Sequence, residues 1–214
     1  MVSPEPSPQP IEAVILDMGG VITISPFPLM EAYGAEAGAP PGLLAARMRS
    51  SAPMVERAER GEISLRRYFE MVAADVRSEL GIELDPGRLM GCIEDSIVPA
   101  DGVLDLVRAI RRRHRTAILT NNARDLTEVW QARLPADLVD VIIDSSVVGM
   151  RKPDPEIYSL ALDRLGVTAG RTAFIDDQEV NLVTAREMGM HGILFRSVEQ
   201  CERELTELGV IVAA

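Results

Sequence analysis

The spacing of apolar positions along this chain changes character twice. Residues 12–17 (EAVILD) are a short apolar run closed by an acid, which predicts a buried strand. Gly19 and Gly20 then turn the chain. Val21, Ile22, Thr23 and Ile24 predict a second extended piece, broken by Ser25-Pro26-Phe27-Pro28. From about residue 28 to 97 the spacing is helical. Leu65, Tyr68, Phe69, Val72, Val76 and Leu80 form one stripe of 3.6-residue period. Ser64 is placed as its N-cap, Ile63 and Tyr68 as a hydrophobic staple, and Gly81 as its stop. Leu43, Leu44 and Met48 predict another helix, as do Leu89, Met90, Ile93 and Ile97. No strand pattern interrupts this stretch, so it reads as a small helical bundle of its own.

After Pro99 strands and helices alternate. Val103, Leu106, Val107 and Ile110 make a helix face closed by Arg111, Arg112 and Arg113, a basic end suited to the helix dipole. Strand 116–120, a helix near 124–133 and strand 139–144 follow. Asp154-Pro155 predicts an N-cap with proline at the first helical position, and that helix runs to Gly166. Strand 172–176, a helix ending near Gly189, strand 192–195 and a last helix complete the chain. Repeated β-α units imply an α/β fold: a Rossmann-like parallel sheet with helices on both faces.

Composition narrows the partners. The 214 residues carry 33 acidic and 22 basic side chains, a net charge of −11. That excess argues against nucleic acid and against an anionic membrane surface as partners. No run of about eighteen apolar residues predicts a membrane span. The two cysteines, Cys92 and Cys201, do not make a disulfide framework, which points to a reducing, cytoplasmic setting. Residues 1–10 hold four prolines and no basic side chain, and read as an untethered leader rather than a signal peptide. Of the 22 basic residues, one alone is lysine, Lys152. Arg and Lys differ in shape and donor geometry, so that position calls for a compact ammonium.

Ligands of open α/β sheets bind beyond the carboxyl ends of the strands. Here those ends carry Asp17, Thr120-Asn121 and Asp176-Asp177, and Lys152 lies in the loop entering a helix. Taken singly each has a bland reading as a turn or cap residue. Taken together, in this order on alternating strands, they suit phosphoryl transfer. Asp17 is placed as a nucleophile, two further carboxylates as holders of Mg²⁺, Thr120 and nearby N–H groups as phosphate donors, and Lys152 as the offsetting charge.

The sequence resembles the haloacid dehalogenase (HAD) superfamily, in the subgroup with a helical cap inserted after the first motif. The resemblance spans residues 11 to about 196. It rests on Ile15-Leu16-Asp17-Met18-Gly19-Gly20-Val21, Leu119-Thr120-Asn121-Asn122, Arg151-Lys152-Pro153-Asp154-Pro155 and Phe174-Ile175-Asp176-Asp177-Gln178-Glu179-Val180-Asn181. Glu59-Arg60-Gly61-Glu62-Ile63-Ser64 with Phe69 resembles the phosphatase-like branch related to the N-terminal domain of soluble epoxide hydrolase. The resemblance implies a core of residues 11–24 and 99–214 and a cap of residues 25–98 that chooses the substrate. It implies Asp17 as nucleophile, and Asp17, the Gly19 carbonyl and Asp177 as Mg²⁺ ligands. Asp176 acts behind them through water or Lys152, and Thr120, the Asn121 backbone and Lys152 bind phosphate. The expected substrate is a small phosphorylated metabolite, and the protein a monomer or homodimer.

One position departs from the family. A second Asp usually follows the nucleophile by two residues, as the acid that protonates the leaving group and then activates water. Here that position is Gly19. Loss of a general acid/base costs ~10²–10⁴-fold in the steps that need it. Three readings stand: a substrate with a good leaving group, such as an anomeric sugar phosphate or an acyl phosphate; a substitute carboxylate, Asp176, Glu59 or Glu62; or a catalytically weak phosphate-binding or interaction protein. A metal-independent haloacid dehalogenase is the alternative chemistry. Gly19 is also a candidate for backbone angles that only glycine tolerates. Of Arg47, Arg49, Arg57, Arg60 and Arg67, about one is expected to face the site. His114, His191 and Trp130 read as structural.

Overall fold

The first strand, β1 (Ala13–Leu16), is buried at all four residues, so it needs sheet neighbours on both edges and packing on both faces. The computed structural model describes residues 10–211 and supplies both. The leader over residues 1–9 lies outside the described residues. Five helices follow β1: α1 (Phe27–Glu36), α2 (Leu43–Ser50), α3 (Ala52–Glu59), α4 (Leu65–Leu80) and α5 (Pro86–Ser96). Then come α6 (Val103–Arg111), β2 (Arg115–Thr120), α7 (Thr127–Arg133), β3 (Val141–Asp144), α8 (Ser145–Val148), α9 (Pro155–Leu165), β4 (Thr172–Asp176), α10 (Glu179–Glu187), β5 (His191–Leu194) and α11 (Val198–Glu207). Among the described residues no helix is long and apolar enough to cross a membrane.

The sheet is parallel throughout, in the order β3-β2-β1-β4-β5. Side chains alternate across it, as strand geometry requires. Val14, Leu16, Ile118 and Ile175 face α6, α11 and the inserted helices. Ala13, Ile15, Leu119 and Phe174 face α9 and α10. The fold is therefore α/β, three layers with a helical insert between β1 and α6.

In the insert, α4 follows its sequence signals, except that Leu80 at the end of the stripe is exposed. Ser64 Oγ accepts from the Arg67 N–H at 3.0 Å, and Gly81 closes the helix with φ 68°. Tyr68, Phe69, Val72 and Val76 bury the stripe, each contributing about 1.5–3 kcal/mol. Four expectations need correction. Val21–Ile24 is not a strand: Thr23 makes only single bridges, to Gly19 and Pro99, because the Gly20 turn folds the segment back on Met18. The segment read as a break is the start of α1, with Pro28 at a helix-start position that lacks an N–H partner anyway. β3 starts at Val141 and β5 spans His191–Leu194, shifted from 139 and from 192–195 by the register of their neighbours. Asp154 precedes α9 but makes no capping bond, because its carboxylate accepts from Arg60 instead.

Candidate active site

Strand order reverses at the β1–β4 junction, and that is where the acids meet. Leu16 pairs with Ile175, so Asp17 and Asp176 leave the sheet side by side. The Asp17 N–H donates to the Ile175 carbonyl at 2.8 Å. Lys152 is 1% exposed, and its Nζ lies 2.8 Å from Asp17 Oδ1 and 2.7 Å from Asp176 Oδ2. The Phe174 ring lies 5.6 Å from the same ammonium and closes its other side.

Asp176 is fully committed. Asn181 Nδ2 donates to both of its oxygens at 3.0 Å, and the Gln178 N–H donates to Oδ1 at 2.8 Å. Asp177 is the opposite case: its Oδ1 is buried without a hydrogen-bond partner among the described residues. Gly20 makes room for it. With φ +84°, Gly20 sits where a Cβ would meet Asp177 Oδ2 at 2.4 Å.

Asp17, Asp176 and Asp177 place carboxylate oxygens within 4.8 Å of one another. With all three carboxylates ionised, the one ammonium would leave two net negative charges, which crowds the cluster. Burial, with repulsion from Asp176 and Asp177, therefore pushes Asp17 up to about 7 against the pull of Lys152. Burial and Asp176 also push Asp177 upward. A double negative charge, an orphaned carboxylate oxygen and hard oxygen donors fit a divalent cation such as Mg²⁺. The Gly19 carbonyl is outside the backbone bonds that close the adjoining turn, which run from Gly20 N–H to Thr23 and from Thr23 N–H to Met18.

A cavity of about 260 Å³ opens above these acids, and Thr120, Asn121 and Lys152 line it. Thr120 is buried at the end of β2. The Asn121 side chain has a role the motif did not suggest. Its Oδ1 accepts from the Lys152 N–H at 2.8 Å and its Nδ2 donates to the Lys152 carbonyl at 2.9 Å, locking the lysine loop to the end of β2. Asp144 escaped the sequence reading altogether. Buried at the end of β3, it accepts from Asn122 Nδ2 at 2.7 Å, Thr127 Oγ1 at 3.1 Å and the Ser146 N–H at 2.9 Å. It braces the Thr120–Asn122 loop from behind. Its strand-end position, shared with Asp17 and Asp176, was the available signal.

None of the three substitute acids is free. Asp176 is committed as described. Glu62 pairs with Arg57 at 3.0 Å on the exposed surface. Glu59 lines the cavity but holds Arg151 Nε at 2.6 Å. At Gly19 there is open room. Its φ is not positive, and a Cβ there meets nothing within 4 Å. The glycine-only backbone expected at Gly19 belongs instead to Gly20.

The insert arginines take other roles than substrate contact. Arg47 pairs with Glu79, Arg57 with Glu62 and Arg67 with Glu70. Arg60 crosses to Asp154 at 2.8 Å, and the Arg49 side chain lies outside the described residues. None of the four described lines the cavity, so the expected single substrate contact is not found there. His114 Nε2 bonds the Val210 carbonyl at 2.8 Å, far from the acids at the entrance to β2. Trp130 is buried in the core.

Comparison with known proteins agrees with this geometry. The profile of the haloacid dehalogenase-like hydrolases matches residues 11–189. Bifunctional epoxide hydrolase 2 of Sus scrofa is 29% identical over 92% of the chain, which spans 39% of that relative's length. A sesquiterpene phosphatase of Aspergillus oryzae is 31% identical over 55% of the chain and 59% of its own. Among solved structures, a HAD family enzyme of Bacteroides thetaiotaomicron in a magnesium complex superposes with TM-score 0.70 at 19% identity, covering 92% of this chain and 99% of that one. An L-2-haloacid dehalogenase of Xanthobacter autotrophicus does so with TM-score 0.64 at 22% identity, covering 95% and 85%. The chain spans less than half of the epoxide hydrolase it matches, but the profile match covers most of its own length. With its parallel sheet, helical insert and strand-end acids, the chain belongs to the haloacid dehalogenase-like hydrolase family.

Proposed function

We propose that the protein is a Mg²⁺-dependent phosphatase that cleaves phosphate monoesters of apolar alcohols through an aspartyl-phosphate on Asp17. The observation that carries this reading is the doubly negative acid cluster around Lys152 on the floor of a cavity whose upper wall is apolar. Asp17, the Gly19 carbonyl and Asp177 would hold the cation, which when bound screens the repulsion between a carboxylate and a phosphate dianion. Asp17 attacks phosphorus as the bond to the ester oxygen breaks and the alcohol leaves, water then cleaves the aspartyl-phosphate to return Asp17 and inorganic phosphate, and Thr120 and the Asn121 backbone orient the phosphate oxygens. Lys152 offsets the charge where carboxylate and phosphate meet, and Asp176 holds Lys152 in place.

The organic part of the substrate faces Met48, Val55, Leu65, Ile93 and Ile97 from the insert. Phe27 and Val180, 42% and 56% exposed, extend the apolar surface. The Tyr68 hydroxyl is already engaged by Ser51 at 2.9 Å. The basic side chains that line the cavity, Arg151 and Lys152, are both ion-paired, so a second anionic group finds no partner. This wall favours a hydrocarbon over the sugar phosphates that the sequence suggested. A sugar hydroxyl left unpaired against it costs about 1–3 kcal/mol. The Aspergillus oryzae relative, a sesquiterpene phosphatase, supports the same direction.

Dodecyl phosphate and glucose 6-phosphate are both primary alkyl esters, so comparing them isolates the organic group. The expected kcat/KM ratio is at least about tenfold in favour of dodecyl phosphate. Equal rates would remove the apolar substrate class. EDTA is expected to abolish turnover and Mg²⁺ to restore it, with 2-chloropropionate as the control. Dehalogenation in EDTA would place the chain with the dehalogenases instead.

Metal binding also has a stability signature. Asp17 binds its proton more tightly folded than unfolded, so in the metal-free protein its contribution to stability should be lost as pH rises from about 4 to about 7. Calorimetry should show Mg²⁺ raising Tm more at about pH 8 than at about pH 5.5. In Asp177→Asn the gain should vanish. Equal gains at both pH values in the wild type would exclude Asp17 as a ligand.

Lys152→Arg tests the unique lysine. A forked planar guanidinium does not fit a pocket closed by two carboxylates and the Phe174 ring. We expect at least about a tenfold loss of kcat/KM with the circular dichroism spectrum unchanged. Wild-type activity in this variant would reduce Lys152 to a loop residue.

A further inference from the structure

We propose that residues 59–61 are a foot by which the helical insert sets the position of the Asn121 and Lys152 loops, with Glu59 as the positioning residue. The contacts come from three successive residues. Glu59 Oε2 accepts from Arg151 Nε at 2.6 Å and from Asn121 Nδ2 at 3.4 Å. The Glu59 carbonyl accepts from Ser145 Oγ at 2.6 Å, and the same hydroxyl accepts from the Asn122 N–H at 2.9 Å. Arg60 bonds Asp154 at 2.8 Å. Gly61, at φ +72°, lies so close to α8 that a Cβ would meet the Ser146 carbonyl at 2.4 Å.

These bonds end on two loops that are themselves tied together. Asn121 holds the Lys152 backbone, and Lys152 holds Asp17 and Asp176. Glu59 and Arg151 retain only 21% and 16% side-chain exposure, so their attraction is little screened by solvent. Arg47, Arg57 and Arg67 pair within the insert and transmit nothing to the core. Docking of the insert is thus linked, through Glu59, Asn121 and Arg151, to the placement of the ammonium beside Asp17.

The effect on turnover rests on the phosphatase reading; the mechanical link does not. Glu59→Gln keeps the side-chain shape and removes the charge. Its kcat for p-nitrophenyl phosphate should fall about 10- to 100-fold, as small misplacements of reacting groups do. Hydrogen exchange at the 119–123 amides should quicken, with Tm nearly unchanged. Arg151→Met should act through the same link, so the double variant should be no slower than the slower single one. The charge-swapped pair Glu59→Arg with Arg151→Glu should recover part of the loss. Glu62→Gln, in an exposed pair, should change neither rate nor exchange. The proposal fails if Glu59→Gln keeps its rate, if the two single effects multiply, or if the rate falls without faster exchange at 119–123. Should the wild type cleave no phosphate ester, the phosphatase reading falls, and the exchange measurement alone still decides for or against the foot.

Discussion

Asn in place of Asp17 should remove phosphate-ester turnover, by at least about 10³-fold, while the fold persists. Asn has nearly the same volume, and its amide oxygen can still accept from the Met18 N–H and from Lys152, which stand at 2.6 and 2.8 Å from Asp17 Oδ1. What is lost is the anionic oxygen proposed to attack phosphorus. The variant also removes one of three crowded carboxylates. In the absence of metal it should therefore melt no lower than wild type near pH 8, the reverse of ordinary core damage. Rapid quench with a labelled substrate should trap a phosphoenzyme in the wild type and none in Asp17→Asn. Residual turnover above about one per cent of wild type would show that the nucleophile is another group.

Gly19→Asp should accelerate the cleavage of alkyl phosphates about 10²-fold and change p-nitrophenyl phosphate turnover far less. None of the acids Asp176, Glu59 and Glu62 is free to protonate a leaving oxygen. Among esters of apolar alcohols, the wild type should therefore turn over aryl esters, whose alcohol departs unprotonated, faster than alkyl ones. The backbone permits the replacement, since Gly19 lacks a positive φ and its Cβ direction is empty to 4 Å. Gly20→Ala is the contrasting control. At φ +84° and 2.4 Å from Asp177 Oδ2, its methyl should displace Asp177, a proposed cation ligand, and silence the enzyme. A wild type that cleaves alkyl and aryl esters equally fast would mean that a proton donor already exists.

How much of this was legible beforehand depended on period and on length. β1, β2 and β4 are short apolar runs with an acid or hydroxyl at their ends, and their parallel pairing follows from the helices between them. α4 carried every signal a helix can carry. α1 did not, because Phe27-Pro28 reads as a break until one sees that proline suits a helix start. The four residues of α8 are too few for any period to show. At the site, the strand-end residues were readable as chemistry because a parallel sheet gathers its carboxyl ends. Unreadable were the bonds that cross from insert to core, such as Glu59 to Arg151. They join residues far apart in sequence, and local pattern carries no information on which distant partner a charge will meet. The apolar cavity wall was hidden for the same reason, since Met48 and Ile93 read only as helix core until the fold turned them toward Asp17.

The position of β1 in the sheet has a consequence for biosynthesis. Ala13 pairs with Arg115 on one edge and Thr172 on the other, so β1, made before the other strands of this sheet, is among the last to be satisfied. At ~5–20 residues per second, the roughly 100 residues up to β2 take on the order of 5–20 s to make. The helices of the insert depend on local contacts and can form within that interval. Ala13-Val14-Ile15-Leu16 cannot, and waits as an exposed apolar segment with open edges. Glu12 and Asp17 flank it on either side, where charge slows self-association of such a run. Asp17, the proposed nucleophile, would thus also act as a charged guard of the nascent chain against aggregation.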